Sequence, residues 1–135
     1  MSTSYRKPWV QRHWILTLLL TFGAMFVLMI AMSTMAAYSM MSSLKRSAPY
    51  IEALSKARAN PRLQSLLGQP IEDSPWMFGV SQQQQGHGEA VFYIPVHGPK
   101  AQAAVHVEAE QHDGVWQYKI LRAMLEKNGE VVDLR

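Results

Sequence analysis

The feature that most constrains this chain is an uncharged run, because no formally charged side chain lies between Arg12 and Lys45. Within it, the 19 residues WILTLLLTFGAMFVLMIAM, Trp14 to Met32, are almost wholly apolar. As a helix they would be about 28 Å long, close to the roughly 30 Å thickness of a hydrocarbon core. The run therefore predicts a transmembrane helix over residues 14–37.

A cleaved signal peptide is the alternative interpretation of the same run. The apolar core of a signal peptide is about 7–15 residues long, and Ala36-Ala37 is a poor cleavage site. The longer run favours a retained anchor. The predicted organisation is a basic N-terminal arm (1–13), the transmembrane helix (14–37), a linker (38–48) and a soluble domain (49–135).

The positive charge is concentrated before the apolar run. Arg6, Lys7 and Arg12 have no acidic neighbour, whereas from Lys45 onward ten Lys or Arg balance ten Asp or Glu. A neutral domain is not typical of nucleic-acid binding. The positive-inside rule places the N-terminus in the cytoplasm and the domain across the membrane. The chain has no cysteine, which excludes disulfides, thiolate zinc sites and thiol catalysis.

Two sets of residues within the run are candidates for contacts of the span. Small residues allow helices to approach closely in a membrane, and methionine is a flexible packing residue. A copper(I) relay through thioethers is the alternative, but no histidine or cysteine lies near enough in the sequence to complete a site. The predicted packing residues are Gly23, Ala24, Met25, Met29, Ala31 and Met32.

After the linker the pattern predicts two short helices. YIEALSKARA has one apolar stripe at helical spacing, and Pro49 marks a break or a new helix start. Asn60-Pro61 is a helix-capping residue followed by proline at the first helical position, and Gly68 ends that second helix.

From Pro70 onward the period changes to two, which predicts strands. The expected strands are Met77 to Gln83, Glu89 to Val96, Ala103 to Glu110, Val115 to Glu126 and a last one in EVVDL. In the fourth, Trp116, Tyr118 and Ile120 are expected on one face. The soluble part is therefore predicted to be α+β, with two short helices packed on an antiparallel meander of four to five strands.

The stretch IPVHGPK, Ile94 to Lys100, is predicted to be a hairpin connection. Pro95 is expected at a sheet edge or bulge because it cannot donate to the ladder. Gly98 and Pro99 suit a tight turn. A phosphate-binding loop would need several glycines before a helix, and here a strand follows. His97 has no partner at metal-ligand spacing, so a hydrogen-bonded or solvated histidine is favoured.

No grouping of residues indicates catalysis. The adjacent pair Glu72-Asp73 would point to opposite faces of a strand, and there is no G-x-S-x-G motif. The sequence predicts no catalytic residue, no cofactor, no metal ligand and no small-molecule substrate. A small enzyme or metal carrier assembled from scattered residues such as His87, His106 and His112 remains the alternative.

Three stretches together resemble the cytochrome oxidase complex assembly protein 1 family: ALSKARANPRLQSLLGQPI, GEAVFYIPVHGPKAQAAVHVEAE and GVWQYKILRAMLEKNGEVVDL. That family is similar in fold to the intermembrane-space domain of a mitochondrial presequence-translocase subunit. Alanine stands at positions 101 and 103, where the family commonly has glycine. The matching positions are Asn60, Pro61, Leu67, Gly68, Pro70, Pro95, Val96, Gly98, Pro99, Lys100, Trp116, Asp133 and Leu134.

The resemblance implies a non-enzymatic role in the biogenesis of a haem-copper oxidase. A member of this family would bind the newly inserted catalytic subunit while cofactors and partner subunits arrive. The alternatives are a permanent accessory subunit of a respiratory oxidase or supercomplex, and a translocation-linked receptor. Since no mitochondrial transit peptide is evident, the expected location is a bacterial inner membrane, with the domain in the periplasm and oxidase subunits and the membrane as partners.

Overall fold

The computed structural model describes Trp9 and residues 13–135. Arg6, Lys7 and Arg12 of the basic arm lie outside the described residues. The chain divides into two compact units, residues 1–39 and 40–135.

The first helix, α1 (Trp14–Lys45), contains the apolar run. Its most apolar window has a mean hydropathy of 2.5, so its length and composition are those of a helix that could cross a membrane. The hydroxyl groups in the run donate to carbonyls of the preceding turn, as from Thr21 Oγ1 to Thr17 O (2.9 Å) and Ser33 Oγ to Ile30 O (2.9 Å). Such bonds let hydroxyl groups lie in apolar surroundings without water.

The helix α1 is longer than the predicted span. Residues 38–45, which the sequence placed in a linker, continue the helix to Lys45. No glycine or proline interrupts the chain between Gly23 and Pro49, so no residue forces an earlier end.

Two short helices follow, α2 (Ala48–Ala59) and α3 (Pro61–Leu67). Pro49 stands in the first turn of α2, where its missing N–H would have no intrahelical partner. Asn60 ends α2 and caps α3, and its side chain accepts a hydrogen bond from the Leu63 N–H at 3.0 Å. The two predicted helices are confirmed.

The remaining chain forms one antiparallel sheet, which confirms the α+β class. Its order is β1-β3-β4-β5-β6, and β2 pairs with β3 beyond the end of β1, so six strands occupy five positions. The turns Gln85-Gly86 and Asp113-Gly114 have positive φ at both residues, as tight hairpin turns require. The strands are β1 (Glu72–Asp73), β2 (Phe78–Gln84), β3 (His87–His97), β4 (Gln102–His112), β5 (Val115–Leu125) and β6 (Val131–Asp133).

One predicted face assignment in β5 is wrong because the strand contains a β-bulge. Ala109 pairs with Tyr118 and Glu108 with Ile120, so Lys119 is an extra residue without a register partner. An extra residue shifts the alternation of side chains by one position. Trp116 and Tyr118 therefore share the helix side of the sheet, and Ile120 lies on the opposite face.

The expectation for Pro95 is also corrected. β3 is an interior strand, paired with β4 on one side and with β1 and β2 on the other. The Pro95 carbonyl accepts from Ser74 N (2.9 Å), in the interruption between β1 and β2. In an antiparallel strand the N–H and C=O of one residue point to the same side. The missing N–H thus falls where the neighbouring strand is broken.

The core lies between the sheet and the two short helices. Alternate residues of the strands face α2 and α3, and the Tyr50 ring meets Phe92 edge-to-face with centroids 6.1 Å apart. Below we call this side of the sheet the covered face. The fully buried large side chains of the core, from α3 and from this face of the sheet, include Leu63, Leu67, Phe92, Ile94, Val96, Val105, Val107 and Leu121.

Candidate functional site: the open face of the sheet

We call the other side of the sheet the open face. It carries the strand residues whose side chains point away from the core. Partners in adjacent strands share a face, so these residues form rows across the sheet. One row is Phe78, Tyr93, His106, Arg122 and Asp133. The next rows are Val80, Val91, Glu108 and Ile120, then Gln82, Glu89, Glu110 and Gln117.

Apolar side chains are concentrated where β2 and β3 meet. Phe78 is paired with Tyr93 and Val80 with Val91. Their exposures are 74%, 48%, 53% and 41%, in that order. Exposed apolar side chains scattered singly are normal, whereas a contiguous group marks a contact site. We call these four residues the apolar quartet.

His106 lies beside the quartet, and its side chain is only 14% exposed. Its ring stacks on Tyr93 with centroids 4.3 Å apart and planes 13° apart. Its Nε2 lies 3.1 Å from Glu108 Oε1, but without the geometry of a hydrogen bond. The stack holds the Tyr93 ring against the sheet, which fixes one side of the quartet.

The open face is acidic toward the end of the sheet that carries the β2–β3 and β4–β5 turns. Lys119, the bulge residue, forms an ion pair with Glu110. That hydrogen bond, followed by the nearby charges of Glu89 and Glu108, raises the pKa of Lys119, while the bond to Lys119 lowers the pKa of Glu110. The bulge thus places a cation among three carboxylates.

A second polar cluster centres on Asp73 of β1. Lys45 Nζ donates to Asp73 Oδ2 (2.9 Å) and to the Ser74 carbonyl (2.9 Å), and the Tyr50 hydroxyl donates to the same Oδ2 (2.6 Å). Arg58 Nη2 lies 3.3 Å from Asp73 Oδ1. Partial burial alone would raise the Asp73 pKa, but the bonds from Tyr50 and Lys45 outweigh it and lower that pKa. Burial and Asp73 together raise the pKa of Tyr50.

Most of the family-motif positions belong to structural contacts of the domain. A Cβ at Gly98 would overlap the Leu67 carbonyl, whose carbon would lie at 2.8 Å, and a Cβ at Gly68 would lie 2.9 Å from Pro99 Cγ. Lys100 N donates to Leu67 O (2.8 Å). The end of α3 and the β3–β4 turn therefore pack backbone against backbone, which explains why glycine stands at both places.

The other motif positions lie around the start of α3 and in the core. Asn60 Nδ2 reaches the Asp133 carbonyl (3.5 Å), which joins the α3 cap to β6. Val96 and Leu134 are buried. Pro61 occupies the first turn of α3, and the Gln69–Pro70 bond is cis.

Trp116, a family-motif position, is only partly buried. It packs against the edge of the core, and a Cβ at Gly88 would lie 3.2 Å from its Cη2. The Trp116 indole reaches across β4 and covers Gly88 of β3. We therefore expect it to stabilise the domain as a partly buried side chain does.

The predicted packing residues of the span lie on exposed surface of α1. Gly23, Ala24 and Ala31 line a shallow apolar groove together with leucine and valine side chains. Met25, Met29 and Met32 are 60–71% exposed. Their role in contacts with another helix stays a prediction.

Three of the histidines, His87, His97 and His112, lie at strand ends. His97 Nε2 lies 3.6 Å from Glu72 Oε2, and the rings of His87 and His112 are 5.9 Å apart in an edge-to-face arrangement. Within Trp9 and residues 13–135, no three His, Asp or Glu side chains are arranged to hold a metal ion.

The fold defines a class of protein, a small α+β domain preceded by a helix long enough to cross a membrane. The distinctive feature of the domain's surface is an exposed apolar patch. A family model, cytochrome oxidase complex assembly protein 1, matches residues 20–135. The chain belongs to this family, which acts in cytochrome oxidase assembly. Searches of curated proteins and of solved structures returned no match.

Sequence reasoning identified the family motif but missed the open-face patch. Of the motif positions within described strands, only Pro95 and Asp133 belong to the open face. The available signal was Phe78 and Val80 in alternation with Gly79 and Ser81, which predicts a strand whose apolar side chains face away from the small ones.

Proposed function

We propose that this protein is a membrane-anchored assembly factor for a respiratory haem-copper (cytochrome c) oxidase and that it binds the catalytic subunit during biogenesis. The family match over residues 20–135 is the observation that carries this proposal. Family membership also supports a non-enzymatic role. The anchor would be residues 14–37, in a bacterial inner membrane with the N-terminus in the cytoplasm, and the domain from residue 49 onward would lie in the periplasm.

The apolar quartet is the proposed contact surface on the domain. Its four side chains form two adjacent cross-strand pairs, so they present one continuous patch on a rigid sheet. Aromatic side chains in such patches are typical anchors of protein interfaces. The family-motif positions instead support the fold, because they lie in the α3–turn contact and in the core.

Affinity purification of the tagged chain from native membranes in mild detergent tests the proposal. We expect the oxidase catalytic subunit to co-purify with an incomplete haem absorption spectrum. Fully haem-loaded oxidase at equal stoichiometry would instead make the protein a permanent accessory subunit. Recovery of no respiratory protein would contradict both functions.

A pair of variants then tests the surface. Phe78→Gln with Val80→Gln should abolish co-purification, because it removes half of the quartet without touching the core. Met124→Gln with Val131→Gln is the matched control, since these side chains are also about half exposed on the open face and are cross-strand partners. Equal losses in both pairs would contradict the assignment of the quartet.

A further inference from the structure

The outer edge of β2 is an unprotected sheet edge. Among the described residues β2 pairs only with β3, so its other edge carries unpaired backbone groups along Phe78–Gln84. Proteins usually protect such edges with charges, proline or a bulge. β2 has none of them, since Phe78–Gln84 contains no Lys, Arg, Asp, Glu or Pro and its register with β3 is regular.

The opposite edge of the sheet is protected. β6 has only three residues, and Asp133 within it pairs with Arg135, while Glu130 before it pairs with Arg62. The part of β5 that β6 leaves unpaired contains the charged bulge residue Lys119. Among the strands that the structure describes, only β2 therefore offers a long, uncharged edge.

We propose that β2 pairs antiparallel with β2 of a second copy of this chain, across a two-fold axis. Three properties of the edge favour its own copy as the occupant. Two uncharged edges place no like charges opposite each other. The glutamine run Gln82–Gln85 is uncharged and carries both amide donors and acceptors, so its side chains can lie opposite Val80 and Phe78 of the copy without bringing a charge against them. Finally, the pairing places the two apolar quartets on one face, beside each other.

The geometry of the two faces restricts the axis. A two-fold axis that pairs the two edges antiparallel runs perpendicular to the sheet, so the helix layers of both copies, α2 and α3, lie on the same side. Opposed residues then come from the same face, and the axis passes midway between the two copies of one residue. The register that pairs all seven residues of β2 places Ser81 on the axis and Gln82 next to it.

A charge exchange at Gln82 tests this dimer in the full chain in detergent. Wild type should sediment with the protein mass of a dimer. Gln82→Glu alone and Gln82→Lys alone should each raise the dissociation constant of the dimer at least tenfold. Mixing the two variants should restore the dimer, because opposite charges then lie across the axis. A misfolded variant would not be rescued by mixing.

Gln117 provides the matched control. It is an exposed glutamine in the same row of the open face, but on β5, so Gln117→Glu and Gln117→Lys should leave the dimer unchanged. The absence of native cysteine allows a second measurement, in which Ser81→Cys should form an intermolecular disulfide because paired strands bring Cα atoms within disulfide reach. Ser65→Cys, on α3, should not.

A monomeric wild-type chain would overturn the proposal. So would a dimer that resists both Gln82 charges and gives no Ser81→Cys disulfide, since its contact would lie elsewhere. Because this measurement involves no oxidase, its outcome is independent of the proposed function.

Discussion

The covered face and the open face of the sheet carry apolar residues of similar size, yet only the covered face packs against the helices α2 and α3. On the covered face, Phe92 and Ile94 are fully buried beneath the two short helices. On the open face, Phe78 and Val80 pair with the same strand and expose 74% and 53%. Phe92 and Ile94 stabilise the fold because they are buried. Phe78 and Val80 are exposed, so they contribute little to the stability of a single chain. An exposed pair of this kind is better explained by contact with another molecule.

Truncating one phenylalanine on each face gives the largest expected contrast. Phe92→Ala should reduce the free energy of unfolding by about 3–5 kcal/mol, because it leaves a cavity in the core. Phe78→Ala should change it by no more than about 0.5 kcal/mol. Urea titration of the full chain in detergent, followed by tryptophan fluorescence, measures both. Similar losses would mean that the open face is also packed in the isolated chain.

The backbone contact beneath the covered face gives the next effect. Gly98→Ala should lower the free energy of unfolding by about 1–3 kcal/mol, because the added methyl would overlap the Leu67 carbonyl and force the turn away from α3. Gly114→Ala is the control: nothing lies within 4 Å of its Cβ position, so only its positive φ costs, about 1 kcal/mol. A Gly98→Ala chain as stable as wild type would show that the turn can shift freely.

A smaller, pH-dependent effect is expected at Asp73. Asp73→Asn should reduce stability at neutral pH by about 1 kcal/mol, since the ionised carboxylate accepts bonds from Lys45 and Tyr50 at a partly exposed site. The folded-state pKa of Asp73 is lowered, so its contribution is complete above the unfolded pKa of about 3.9. It is lost as the pH falls below that value.

Denaturation of wild type and Asp73→Asn at several pH values measures this effect as a difference. The gap between the two should be constant from pH 7 to pH 5 and should close as the pH falls from 4 toward 2. A gap that widened on acidification would contradict the lowered pKa.

The smallest effect is expected at His97, which lies at the turn end of β3. His97→Ala should alter stability by less than about 0.5 kcal/mol, because the ring is 48% exposed and its nearest carboxylate, Glu72 Oε2, lies at 3.6 Å. Oxidase co-purification should also be unchanged. A folded His97→Ala chain that lost its partner would give IPVHGPK a direct role in binding.

Much of the fold was predictable because its signals are local. Asn60-Pro61, Asp113-Gly114 and the period-two alternation of β4 each specify their own structure without reference to distant residues. The bulge at Lys119 was not predictable in the same way. Nothing in VWQYKILRAMLE marks where the alternation shifts, since that depends on the register with β4.

The site was less predictable than the fold. Exposure of Phe78 depends on which face the helices cover, and the sequence pattern is the same for either face. Pro95 shows the same limit, because its tolerance in an interior strand depends on the interruption between β1 and β2 beside it at Ser74. Both features are tertiary, so local propensity does not contain them.

The order of the sheet also bears on how the domain is made. From β2 to β6, each strand hydrogen-bonds to the next strand in the sequence, whereas β1 pairs with β3. Pairing of neighbouring strands closes short loops, which costs little chain entropy and favours rapid folding. If the chain crosses a membrane from its N-terminal end, β2 to β6 emerge in the order in which they pair. The sheet can then grow one hairpin at a time while the rest of the chain is still being delivered.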